Sequence, residues 1–182
     1  VLPEGEDPRM TQAAKIATEN KIAQITMLGD ADKITSALKE AGANLADITV
    51  INPEKSEKLQ AYAEQFFNLR KSKGITQQQA LEKVKDVMYF GNMMLKSGDC
   101  DGLVAGAVHS TSDTVRPALQ IVKPAAGIKT VSSMFFMCKG EEILLFADCG
   151  LNEFPNHDQL VDITVSTVKT GLQFDIQPKV AV

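Results

Sequence analysis

The stretch Ala23-Gln24-Ile25-Thr26-Met27-Leu28-Gly29-Asp30, continued through Ala31 to Ala41, Gly42 and Ile48-Thr49-Val50-Ile51-Asn52-Pro53, decides the fold. Its first and last parts are β-branched runs, each closed by a turn signal, Gly29-Asp30 in one case and Asn52-Pro53 in the other. Between them Ala31 to Ala41 reads as a short amphipathic helix stopped by Gly42. A strand, a helix and a second strand within thirty or so residues are the building unit of a sheet covered by helices.

The same alternation continues in both directions. Leu59, Tyr62, Ala63, Phe66 and Phe67 keep helical spacing, so a helix is expected from Ser56, as N-cap, to about Lys71. Ala80, Leu81, Val84, Val87, Met88, Gly91, Met94 and Leu95 predict a second one, running from after Thr76 to before Gly98. Gly102 to Ala107 is almost free of polar side chains and reads as an interior strand, followed by a helix from about Asp113 to Val122. Val131 to Cys138 and Ile143 to Ala147 flank Lys139-Gly140-Glu141-Glu142 and predict a hairpin, hence an antiparallel strand in a mostly parallel sheet. Leu160, Val161, Val165, Val168 and Leu172 mark a last helix. The expectation is one α/β domain over residues 1–182, a three-layer α/β/α sandwich with a mostly parallel sheet. Val1-Leu2-Pro3-Glu4 and Pro178-Lys179-Val180-Ala181-Val182 read as half-completed strands, which suggests a piece of a longer protein.

The 182 residues are 44% hydrophobic, enough for a substantial core, and 19 basic against 23 acidic residues give a net charge of −4, which argues against a general nucleic-acid binder. No run reaches the about 18 apolar residues that a membrane span needs. Cys100, Cys138 and Cys149 lack metal-ligand spacing and stand apart from His109 and His157, so no metal site is expected. Nothing resembles an export signal, and a cytoplasmic protein with three reduced thiols is the expectation. Neither GxGxxG nor GxxxxGK[ST] occurs.

The chemistry concentrates in Gly106-Ala107-Val108-His109-Ser110-Thr111-Ser112-Asp113-Thr114-Val115-Arg116-Pro117. Hydroxyls and an arginine stand where a strand should hand over to a helix, so free backbone N–H groups, O–H donors and a guanidinium would converge on an anion. The competing reading is that Ser112 or Asp113 merely caps the helix. His109 beside Ser110 is no nucleophile and base pair, because such pairs are defined in space; it reads as structural. Arg116 precedes Pro117 and should therefore lie at the helix entrance. Arginine is scarce, with Arg9, Arg70 and Arg116 alone. Arg70-Lys71-Ser72-Lys73-Gly74 reads either as a phosphate-binding cluster or as cations at a helix C-terminus before a glycine stop. Arg9 is assigned to the first helix. Glu4, Glu6 and Asp7 form an acidic cluster without an evident partner.

Val1-Leu2-Pro3-Glu4-Gly5-Glu6-Asp7-Pro8-Arg9, Leu69-Arg70-Lys71-Ser72-Lys73-Gly74, Tyr89-Phe90-Gly91, His109 to Ala118, Phe146-Ala147-Asp148-Cys149 and Pro178-Lys179-Val180-Ala181 together resemble the phosphate acetyltransferase (phosphotransacetylase) family. The resemblance implies an isocitrate/isopropylmalate dehydrogenase-like fold and the first of two α/β domains with a cleft between them. It implies the reaction of acetyl-CoA and phosphate to CoA and acetyl phosphate, with CoA as a substrate and no cofactor. It matches Arg70 to an arginine on the CoA phosphate and Arg116 to one at the CoA and acetyl-phosphate end. Ser110, Thr111, Ser112 and Thr114 match the segment that receives acetyl phosphate. The acid-base aspartate, with its serine and arginine, is expected beyond Val182 in a C-terminal domain that the chain lacks, and a homodimer is an expectation for the full-length parent. A CoA thiol with a pKa of about 8.5 needs that base to become a thiolate, so the chain alone should be inactive. The alternatives are phosphate butyryltransferase and a non-catalytic acetyl-CoA-binding regulatory domain, as in malic-enzyme fusions.

Overall fold

The structure, a computed structural model, describes residues 1–182, which divide into two compact units, Val1–Lys123 and Pro124–Val182. In the first unit, Ile25–Leu28 forms β1 and Ile48–Ile51 forms β2, parallel and in register from Ile25 against Ile48 to Leu28 against Ile51. The chain start adds to the other edge of β1, with Leu2 bridged to Met27 and hydrogen bonds from Leu2 N to Thr26 O (2.8 Å) and from Leu28 N to Leu2 O (3.0 Å). A helix α1 (Pro8–Glu19) comes next, capped by Asp7 with Pro8 at its first position, where the missing N–H costs nothing. Helix α2 (Ala31–Glu40) connects β1 to β2 and is capped by Asp30, whose carboxylate accepts from the N–H groups of Asp32 and Lys33. Ile34 and Leu38 on its inner face are fully buried with Met27.

The second half of this unit is helical. The helix expected from Ser56 begins instead at Leu59, as α3 (Leu59–Arg70), because Ser56 spends its hydroxyl on a turn, accepting from Lys58 N at 3.2 Å. The single helix expected after Thr76 is two: α4 (Gln77–Val84), opened by a capping box between Thr76 and Gln79, and α5 (Val87–Ser97). Asp86 makes the break, its carboxylate accepting from Met88 N and Tyr89 N and so starting a new helix. Helix α6 spans Thr111–Ile121. Phe66, Phe90 and Met93 are buried at the centre, with Tyr62 edge-on to Phe90 (5.0 Å) and Phe66 edge-on to Tyr89 (5.4 Å).

Gly102 to Ala107 does not form the interior strand that its composition predicts. The segment starts beside the chain start, with Val104 N donating to Val1 O at 3.1 Å, and then leaves it; Val104 is 65% exposed. Strand pairing ends because the next N–H groups turn to a side-chain carboxylate, with Gly106 at φ 103° making a bend that a residue with a Cβ rarely adopts.

In the second unit, β3 (Met134–Lys139) and β4 (Glu142–Ala147) form the expected hairpin, paired from Met134 against Ala147 to Lys139 against Glu142, with Gly140 at φ 60° in its turn. The hairpin forms a two-stranded sheet of its own instead of joining the parallel strands. Asp148 closes its base, accepting from the N–H groups of Ser133, Gly150, Leu151 and Asn152 and from the Ser133 hydroxyl. Burial pushes that carboxyl up, but the Ser133 and Asn152 side chains and these N–H groups hold it well below the usual carboxylate range. Helix α7 (His157–Gln173) opens with a capping box between Asn156 and Gln159. Residues 178–182, read as a half-completed strand, have no regular structure.

Candidate functional site

The acidic cluster near the chain start has partners after all, and one of them is the loop singled out for chemistry. Glu4 lies at the carboxyl end of the first strand segment with its side chain 1% exposed. One carboxylate oxygen, Oε2, accepts from Gly106 N (2.8 Å) and Ala107 N (2.7 Å), and the other, Oε1, accepts from Val108 N and His109 N (both 2.8 Å). His109 Nδ1 also lies 2.8 Å from Oε1. Burial pushes the Glu4 carboxyl up, but the N–H groups of His109, Val108 and Ala107 and the His109 ring outweigh it and bring the pKa down to about 2. The carboxylate is therefore ionised near neutrality, and Nδ1 of His109 carries the proton that faces it. His109, read from the sequence as structural, is fixed through Nδ1 to Glu4.

The other two acids are equally engaged. Glu6 accepts from Lys33 Nζ (2.9 Å) and Asp30 N (3.2 Å), tying the turn after β1 to the chain start. Asp7 forms a two-pronged pair with Arg9, through Nε and Nη2 at 2.9 Å each. Arg9 Nη2 also donates to Ala107 O, so Arg9 serves the loop as well as the first helix. A cleft of about 200 Å³ opens beside Glu4 and His109, lined by Pro3, Gly5, Leu28, Gly29, Val87 and Val108. It lies at the carboxyl end of β1, where open α/β sheets bind ligands.

Ser110 comes directly after and caps α6. Its Oγ accepts from Asp113 N (3.2 Å) and donates to Asp113 Oδ2 (2.7 Å), so the cap is Ser110 and not Ser112 or Asp113. Thr114 Oγ1 donates to Ser110 O at 3.0 Å. Thr111 and Ser112 are exposed in the first turn, where backbone N–H groups have no helical partner.

Arg116 is not at the helix entrance. It lies inside α6, with Pro117 after it also within the helix. The bias of a residue before proline is overridden here, where Pro117 and Ile121 are buried in the core on the inner face of α6. From that position Arg116 reaches back one turn, and Nη2 donates to Ser112 Oγ at 2.7 Å while the side chain remains exposed.

Arg70, the last residue of α3, is partly buried and shares no hydrogen bond with the loop. Tyr89 feels the charge of both arginines. Burial pushes its hydroxyl up, while the positive charges of Arg116 and Arg70 both pull it down, against Asp86 and Asp113. Tyr89 Oη donates to Gln120 Oε1 on α6 at 3.2 Å, and Lys83 Nζ stands 5.1 Å from the centre of its ring. Among the residues singled out in the sequence, Ser110, Thr111, Ser112, Thr114 and Arg116 form one group at the start of α6, and Arg70 stands apart from it at the end of α3. Glu4, Arg9 and Tyr89 are the additions. Nothing in local composition flags Glu4; its burial depends on a contact with residues about a hundred positions away.

The class of protein is thus mixed α/β, with a loop-to-helix junction at the end of a parallel strand pair. The chain belongs to the phosphate acetyl/butaryl transferase family, whose model matches residues 1–182. It is 47% identical over 188 residues to phosphate acetyltransferase of Thermoanaerobacterium thermosaccharolyticum and 42% identical over 182 residues to that of Corynebacterium glutamicum, covering 57% and 55% of those proteins. Among solved structures, a phosphotransacetylase from Streptococcus pyogenes superposes with a TM-score of 0.92 at 39% identity, over 98% of this chain and 54% of that one. The EutD phosphotransacetylase from Staphylococcus aureus gives 0.89 at 40% identity, over 97% and 53%. The chain spans about half the length of these relatives. No helix is long and apolar enough to cross a membrane.

Proposed function

We propose that the chain supplies one half of the substrate site of a phosphate acetyltransferase, which converts acetyl-CoA and phosphate to CoA and acetyl phosphate. The observation that carries this reading is Arg116, an exposed guanidinium held by Ser112 over the first turn of α6, beside free N–H groups. These are donors for a phosphoryl dianion and for an oxyanion developing at an acyl carbon. Arg70, at the C-terminal end of α3, is assigned the CoA phosphate. CoA enters as a substrate, not as a resident cofactor. The names of the relatives favour acetyl over butyryl transfer.

The half-site is rich in donors. His109 is oriented through Nδ1 by Glu4, and Asp113 accepts from the Ser110 hydroxyl. The acid-base residue is assigned to the remainder of the full-length enzyme, and the chain alone is expected to give no acetyl transfer.

The test is substitution in the full-length enzyme. Arg116→Gln removes a charge-assisted contact worth about 1.5–3 kcal/mol, roughly ten- to a hundredfold in kcat/KM. Arg116→Lys recovers part, since it keeps charge and loses the planar fork. Arg70→Gln raises mainly the KM for CoA, and desphospho-CoA is insensitive to it. If Arg116→Gln leaves kcat and every KM within about twofold of the parent, with circular dichroism unchanged, helix capping is the better account of this loop.

A further inference from the structure

We propose that Glu4 is a positioning residue for the substrate loop: its carboxylate stands in for an anion on the N–H groups of residues 106–109 and thereby fixes the register of Ser110, Ser112 and Arg116. This deepens the proposed function and rests on it.

The geometry is that of an anion-binding concavity already filled. Consecutive N–H groups that converge on one point bind anions in proteins. Here the four N–H groups from Gly106 to His109 divide evenly between the two oxygens of Glu4, and the His109 ring adds a fifth donor. A phosphate cannot use these donors while Glu4 holds them. The donors left to it lie further along the chain: the free first-turn N–H groups of α6, the Ser112 hydroxyl and Arg116. Glu4 accordingly both orders the loop and confines the ligand to its far end.

Glu4 itself is rigidly held. Gly5 N donates to Leu28 O at 3.1 Å, and a Cβ on Gly5 would lie 2.6 Å from that same oxygen. Only a glycine lets the chain run this close to β1, which presents the preceding side chain to the loop. Asp7 and Arg9 tether Ala107 O from the same segment. The path from Glu4 to Arg116 is therefore a short series of hydrogen bonds through residues 106–109, the Ser110 cap and one turn of α6.

Substituting glutamine replaces one acceptor oxygen with an NH2 group. Two of the four N–H groups then face a donor instead of an acceptor. Alanine removes the carboxylate altogether and leaves a concavity that formate can enter.

The experiment uses NMR to measure amide hydrogen exchange and inorganic phosphate binding in the 182-residue chain. In Glu4→Gln, exchange at residues 106–109 is expected to accelerate by at least about tenfold while residues 25–28 and 48–51 keep their protection. Phosphate affinity falls by about tenfold in the same protein. In Glu4→Ala, formate restores both properties saturably, and it raises neither in the wild type. General destabilisation cannot produce that rescue. If Glu4→Gln stays folded and binds phosphate as the wild type does, or if formate restores nothing in a folded Glu4→Ala, the positioning role is overturned and the proposed function stands. A wild-type chain that binds no phosphate overturns the anion-receiving loop, and the positioning role with it.

Discussion

Protonating Glu4 must release the loop that it holds, and the size of the effect is set by its surroundings. The folded carboxyl titrates at about 2 against an ordinary value of 4.5. A carboxyl with a depressed folded pKa stabilises the fold fully above its unfolded pKa. Between the two values the unfolded chain binds more protons, so stability falls as the pH drops through that window. At about 1.4 kcal/mol per pH unit the whole contribution is about 3 kcal/mol, an upper value because other carboxylates titrate in the same range. Glu4→Gln removes this contribution, and its stability should depend less on pH than that of the wild type over the window. The chain has two tyrosines and no tryptophan, and both Tyr62 and Tyr89 lie in the first unit. Tyrosine fluorescence during urea unfolding therefore reports that unit alone. The gap between wild type and Glu4→Gln should be largest above about pH 5 and should narrow steadily toward about pH 2.5. Parallel curves across that range would refute the reasoning, since they would mean that the Glu4 carboxylate has no preferential interaction with the folded loop.

Gly5→Ala should destabilise the same unit by about 1–3 kcal/mol or more, because the added Cβ meets the Leu28 carbonyl, which cannot move without breaking the edge of the sheet. The midpoint of the urea transition read by tyrosine fluorescence checks it, and a shift too small to resolve would show that the chain start relaxes freely. Cys100, Cys138 and Cys149 are all unpaired, so titration of the unfolded, unreduced protein with a thiol reagent should give three thiols; a value near one would contradict this.

The elements legible in the sequence are those whose signal is local. The β1, α2 and β2 unit is encoded by two β-branched runs, an amphipathic period and their turn residues, and Ile48–Ile51 has the bounds that its composition suggests. The hairpin is encoded by Gly140 between two apolar runs. Asp86 shows what a periodic pattern hides: apolar spacing runs on through Val84, Val87 and Met88, yet one carboxylate that accepts from two N–H groups is enough to restart the helix. Gly102 to Ala107 shows the opposite failure. An apolar run reads as a strand because buried strands are apolar, but whether it pairs depends on where its N–H groups find acceptors.

That question of acceptors also separates the parts of the candidate site. Ser110, Ser112 and Arg116 stand out because hydroxyls and arginine advertise their chemistry by type, and the turn of α6 brings Arg116 onto Ser112 at a separation of four residues. The helix position of Arg116 is not legible in the same way, because a preference of the local backbone says nothing of the burial of Pro117 and Ile121 that overrides it. Glu4 carries the opposite bias: an acid in an acidic cluster looks like solvated surface, whereas here its charge is the counterpart of four backbone dipoles from the far side of the unit. The same donors, had they been free, would have made the loop itself the obvious anion site. With Glu4 in place the N–H groups of residues 106–109 are taken, so the residue least visible in the sequence decides which donors of the loop remain open.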